Sequence, residues 1–104
     1  MFTVEEIAQK LKPVFEANGV TKAILLGSYA RGTATEDSDL DTVVETEPHV
    51  RGWDFFGIIE DVRQCLEKEI DMIAKRDIVL DSKIDAEVIR DGVVIYEKKR
   101  QSLP

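Results

Sequence analysis

Two strand-like apolar runs joined by a short polar segment constrain this chain more than any other feature. The first covers residues 20–26 and carries Ala23, Ile24, Leu25 and Leu26 without a break. The second covers residues 39–45 and reads DLDTVVE. Between them lie a Gly-Ser turn at Gly27 and Ser28, room for one short helical turn over 28–31, and a small polar loop, GTATEDS, over 32–38. That connection is too short for the crossover that parallel strands require. An antiparallel pair is therefore expected, with the turn brought back beside the start of the second strand.

The second strand opens on two carboxylates. Asp39 and Asp41 are two residues apart, so they project from one face while Leu40 points to the other. Aspartate is a poor strand residue, and two of them at a strand start call for a reason. A third acid, Asp71, sits inside another apolar run, EIDMIA, with Ile70 and Met72 facing the opposite way. Two carboxylates about 5 Å apart at an effective dielectric of about 20 repel by roughly 3 kcal/mol. Three that converge need a cation to balance them. Oxygen-only ligands suit Mg²⁺ or Mn²⁺, which bind through one or two carboxylates plus substrate phosphate oxygens. The chemistry this points to is phosphoryl or nucleotidyl transfer assisted by two ions.

The remaining chain reads as a frame. T-V-E-E at Thr3–Glu6 is a capping box, with Phe2 and Ile7 placed to staple the helix start. Ile7, Leu11, Val14 and Phe15 continue at helical spacing, and Pro13 is expected to kink that helix. Asn18-Gly19 ends it. A second long helix is expected over 54–68, its stripe formed by Phe55, Ile58, Ile59, Val62, Cys65 and Leu66. A strand over 70–74 follows, then a helix capped by Asp81-Ser82 and closed by Asp91-Gly92. A last strand covers 93–96, and KKRQSLP is expected to fray. The order predicts an α/β (α+β) domain over 1–104, a mixed sheet flanked by helices.

Other residues take structural readings. His49 stands alone after Pro48 and has no second ligand at useful spacing. Trp53 is expected to cap one end of the core, and Cys65 to lie in it. Tyr29 and Tyr96 could accept a nucleotide in self-modification, with packing the plainer role for Tyr96. Asp77 and Asp81 rival Asp71 as third metal ligand, but both lie in expected loops.

Composition excludes several classes. The net charge is −7, from 14 basic and 21 acidic residues; without Asp39, Asp41 and Asp71 it is still −4. An acidic surface disfavours direct binding of nucleic acid through phosphate neutralisation. No apolar run approaches the roughly 20 residues of a membrane span. The amino terminus, MFTVEEIAQK, lacks a signal-peptide layout, and a lone cysteine makes no internal disulfide. A cytoplasmic address is expected.

The pattern G-S-x(10)-D-x-D, with Gly27, Ser28, Asp39 and Asp41, resembles the signature of the DNA polymerase beta-like nucleotidyltransferase superfamily. The fuller run GSYARG…SDLD resembles its minimal nucleotidyltransferases, the MNT or MntA-type antitoxins. The first helix, WDFFGIIED, IDMI and GVVIYE extend the likeness over most of the chain. The resemblance implies that Asp39 and Asp41 hold the metals, and that Asp71 completes the triad and helps to deprotonate the acceptor hydroxyl. It implies that Ser28 contacts the triphosphate, that Gly27 permits its close approach, and that Arg31 is a further phosphate contact. It also implies a partner: a HEPN-domain ribonuclease toxin, neutralised by transfer of AMP from ATP to a toxin tyrosine. Two other readings stand beside it. One is an antitoxin that acts by binding alone, which gives no reason to cluster acids. The other is transfer to a small molecule such as an aminoglycoside, for which 104 residues leave no room for an acceptor domain.

Overall fold

The computed structural model describes residues 2–98. The chain opens on helix α1, Val4–Ala17. Thr3 and Glu6 form the expected capping box: each side chain accepts the other's backbone N–H, both at 3.1 Å. The bond from the Thr3 backbone is the main reason that the Glu6 carboxyl is held below its ordinary value. Thr3→Ala removes one cap acceptor and is expected to cost about 1 kcal/mol, read as a lower urea midpoint at unchanged slope. The helix continues across Pro13 to its cap at Asn18. Its stripe of Ile7, Leu11 and Phe15 is fully buried.

Strand β1, Val20–Leu26, leads straight into the short helix α2, Gly27–Arg31. Strand β2 is Leu40–Thr46, and helix α3 is Trp53–Leu66. Glu67, in the left-handed region at φ 52°, ends α3 two residues before the expected limit. Strand β3, Ile70–Ala74, runs into a single 3-10 turn, Lys75–Asp77. Helix α4, Lys83–Asp91, starts from a Ser82 cap whose hydroxyl accepts the Asp85 N–H. Strand β4 is Val93–Glu97. Of the expected frayed end, residues 99–104 lie outside the described residues.

The four strands form one sheet in the order β3-β2-β1-β4. β1 pairs antiparallel with both β2 and β4, and β2 pairs parallel with β3. The fold class is therefore the expected mixed sheet with flanking helices. Alternation along the central strands splits the core in two. Ala23, Leu25, Leu40 and Val44 join Ile7, Leu11 and Phe15 of α1 and Ile58, Val62 and Leu66 of α3 on one face. Ile24, Leu26 and Val43 face the other way, where Val88 of α4 packs on them. A continuous apolar run buried on both faces is what this arrangement demands of β1. Tyr96 packs its ring on Phe15 with centroids 5.4 Å apart, the role expected for it.

Two core assignments are corrected. Trp53 is 88% exposed and stacks against Phe56, also exposed; Val50, from the loop before α3, fills that end of the core instead. Cys65 is exposed as well, its thiol meeting the Lys10 carbonyl at the margin between α3 and α1. The stripe of α3 narrows there to Val62 and Leu66.

Candidate active site

The antiparallel register sets Leu26 opposite Asp41, and the parallel register sets Asp41 opposite Asp71. One turn and two acids are thereby brought together on the α4 face of the sheet. Gly27 takes φ +67°, and a Cβ built on it would stand 2.5 Å from Asp41 Oδ2. Only glycine lets the chain turn there without displacing that carboxylate. Ser28 follows, half-buried in the first turn of α2. Gly32, at φ +75°, closes the turn by giving its N–H to Ser28 and Tyr29 carbonyls.

Asp41 is half-buried, whereas Asp39 and Asp71 are exposed. The Asp41 carboxyl is raised above its ordinary value of 3.8, first by burial, then by the charges of Asp71, Glu87 and Asp39; Arg31 opposes them. Among the described residues none of the three aspartates makes a salt bridge. Beside Asp41 and Asp71 lies a cleft of about 210 Å³, also lined by Leu26, Thr42, Ile73, Ile84 and Glu87. Thr42 is anchored by a buried 2.9 Å bond from its hydroxyl to the Ile24 carbonyl.

The sequence expectation of three converging acids is met in part. Asp41 and Asp71 are neighbours; Asp39 lies just before β2, close enough to act on Asp41. Among the described residues no three His, Cys, Asp or Glu side chains form a metal cluster. The donors are nonetheless carboxylate oxygens that make no salt bridge among the described residues and are opposed only by the charge of Arg31, on a face with an open cleft. That set fits a hard divalent ion completed by substrate phosphate oxygens, which needs only one or two carboxylates from the protein. Neither Asp77 nor Asp81 lines this cleft: the 3-10 turn carrying Asp77 leaves the end of β3 opposite to Asp71, and Asp81 gives its N–H to the Asp85 carboxylate of α4 at 3.0 Å.

Arg31 stands at the end of α2 with its guanidinium 3.8 Å from Glu87 of α4. Nothing in the sequence singles out Glu87. On a short polar helix it looks like any solvated acid, and only the placement of α4 over the sheet brings it to the cleft. Tyr29 is 4% exposed and its hydroxyl is buried, which removes it as a self-acceptor. His49 is exposed and packs beside Gly19.

Residues 4–99 match the nucleotidyltransferase domain family. The protein adenylyltransferase MntA of Thermococcus cleftensis is 34% identical over 99 residues, 91% of this chain and 98% of that protein. Among solved structures, one chain of a toxin-antitoxin assembly with AMP-PNP superposes with a TM-score of 0.72 at 19% identity, covering 88% of this chain and 74% of that one. One chain of the complex of tri-AMPylated Shewanella oneidensis HEPN toxin with MNT antitoxin gives 0.67 at 15% identity, covering 92% and 74%. At those identities the two structures establish a shared fold.

Proposed function

The chain belongs to the nucleotidyltransferase domain family, and we propose that it is an antitoxin that transfers AMP from ATP to a tyrosine of a HEPN-type ribonuclease toxin. The observation that carries this reading is the pair Asp41 and Asp71, side by side next to the Gly27-Ser28 turn. The name of the Thermococcus relative supports adenylyl transfer. The neighbouring complexes of MNT antitoxin with a tri-AMPylated HEPN toxin, and of a toxin-antitoxin with AMP-PNP, support the partner and the nucleotide.

In this proposal Asp39, Asp41 and Asp71 would hold Mg²⁺ or Mn²⁺, two ions in all, with substrate phosphate oxygens completing the ligand set. When bound, the ions polarise the phosphate and stabilise the charge on attacking and leaving oxygens. The chain's own groups do the rest. Ser28 and the backbone after Gly27 hold the triphosphate, and Arg31 leaves Glu87 to pair with it. The acceptor phenol oxygen bonds to the α-phosphorus, and the bond from that phosphorus to the bridging oxygen of pyrophosphate breaks. The phenol proton passes to the Asp71 carboxylate, which is exposed and so reachable by a partner's side chain. Residues 1–104 act as one domain that takes its acceptor from outside, consistent with an acidic surface meeting a basic RNA-cleaving partner. Among the described residues no helix is long and apolar enough to cross a membrane, and the use of ATP suits the cytoplasm.

The test is incubation with the co-encoded partner, Mg²⁺ and ATP labelled on its α-phosphate. Label is expected on a partner tyrosine, with loss of its ribonuclease activity. No transfer, together with unchanged toxin inhibition by Asp39→Ala/Asp41→Ala, would favour action by binding alone. Label appearing only on small molecules would reassign the acceptor.

A further inference from the structure

We propose that Lys68 is a positioning residue for this reaction, a clamp that joins the three segments carrying the site. The inference rests on the nucleotidyl-transfer reading for its catalytic consequence, but not for its geometry. Lys68 lies in the tight turn between α3 and β3, three residues before Asp71. Its half-buried ammonium donates to the Glu36 carbonyl at 2.9 Å and to the Ser38 carbonyl. It also sits 5.5 Å from the centroid of the Tyr29 ring. Glu36 and Ser38 belong to the loop that delivers Asp39, and Tyr29 follows Ser28 in the turn after β1. The next residue, Glu69, accepts the Leu40 N–H at 3.1 Å. One side chain thus ties the phosphate turn, the loop before the paired aspartates and the lead-in to Asp71.

The physical need for such a clamp is visible in the loop. Residues 32–38 are small and polar, and only Ala34 among them packs on the core. Thr33 gives its N–H to the Ser28 carbonyl at 2.9 Å, which ties the loop's start to α2; the bonds farther on, Thr35 N–H to Ser38 Oγ at 2.9 Å and Ser38 N–H to the Thr35 carbonyl at 3.1 Å, fix its tip but do not fasten residues 35–38 to the segment before β3. Charge-assisted bonds to two carbonyls do so, and each is stronger than a neutral bond. The cation faces the ring of Tyr29, a favourable arrangement for an ammonium. Asp39 is exposed, so its place relative to Asp41 depends on how the loop before it is held.

Lys68→Met keeps the stem and removes the ammonium; Lys68→Arg restores a cation with several donors. The first readout is amide hydrogen exchange in the isolated chain, which requires no transfer activity. In Lys68→Met the Ser38 and Leu40 amides are expected to exchange about tenfold faster, while those of Leu11 and Leu25 hold. The second is transfer kinetics with the partner: kcat is expected to fall about 10- to 100-fold, with KM for ATP within about threefold. Lys68→Arg is expected to recover most of kcat. Unchanged exchange at Ser38 and Leu40, uniform acceleration at all amides, or a folded methionine variant with kcat within about twofold of wild type overturns the clamp. If Lys68→Met does not fold, Lys68→Gln takes its place; failure of that variant to fold also overturns it. A wild type that transfers no label refutes the function while the exchange result still decides the geometry.

Discussion

Asp41→Asn is expected to lower AMP transfer by at least about 100-fold, the equivalent of about 3 kcal/mol of transition-state stabilisation, and to make the ion-free protein more stable at neutral pH. The two effects have one cause. Burial and the charges of Asp71, Glu87 and Asp39 hold the Asp41 carboxyl above its ordinary 3.8. A raised folded value means that the native state prefers the protonated acid, so ionising it weakens the fold. The penalty is fully present above the folded value and disappears as pH falls through it toward 3.8. Asparagine has nearly the same shape and carries no charge, so it lacks the penalty. Thermal melts in EDTA should therefore show wild type losing stability, relative to Asp41→Asn, as pH rises across that window. Above the window the difference should be constant. Added Mn²⁺ should then stabilise the wild type and not the variant, because an ion that binds only the folded state raises the melting temperature. Equal melting curves in EDTA across the window, or equal response to Mn²⁺, would remove the case for Asp41 as an unbalanced ligand. Transfer within tenfold of wild type would remove it from the chemistry.

Gly27→Ala is expected to damage both the fold and the site. At φ +67° a side chain is strained, and its Cβ would stand 2.5 Å from Asp41 Oδ2. The backbone strain costs about 1–2 kcal/mol. Relief of the contact moves either the turn or the carboxylate, bringing the total to about 2–3 kcal/mol, within the range for a strained functional position. For a domain of this size that is a fall of roughly 10–20 °C in melting temperature. Moving the carboxylate or the Gly27-Ser28 turn by about 1 Å is expected to cost a further ~10²-fold in transfer rate. Gly32→Ala provides the control. Gly32 has φ +75°, but a Cβ there meets nothing within 4 Å, so backbone strain is its only cost. Urea titrations and transfer assays on both variants separate the two terms. Equal losses of activity would show that the contact with Asp41 is immaterial.

Local signals were enough for much of this. The turn at Gly27-Ser28, the alternation that sets Asp39 and Asp41 on one face, the capping box at Thr3 and the strand around Asp71 all follow from short-range geometry. So does the antiparallel pairing of β1 with β2, because the segment between them has no room for a crossover. The core positions expected for Trp53 and Cys65 fail for a common reason. Helical spacing says which residues share a stripe, but not how far a neighbouring element covers it. At the start of α3 the core position is taken by Val50 from the preceding loop, and near its end α1 leaves Cys65 at the margin.

The sequence by itself determined the order of elements, the Gly27-Ser28 turn and the pair of acids ten residues beyond it, since bond geometry and strand periodicity act over a few residues. The sequence points to Asp71 over Asp77 and Asp81 as the third acid, but only the tertiary structure sets it beside the other two. Parallel pairing of β2 and β3 puts Asp71 opposite Asp41, and no local rule specifies that register. Glu87 facing Arg31, and Lys68 holding the Glu36 and Ser38 carbonyls, likewise arise where distant segments pack. Their contacts are set by the summed burial of both faces of the sheet, which fixes where each helix and turn must lie.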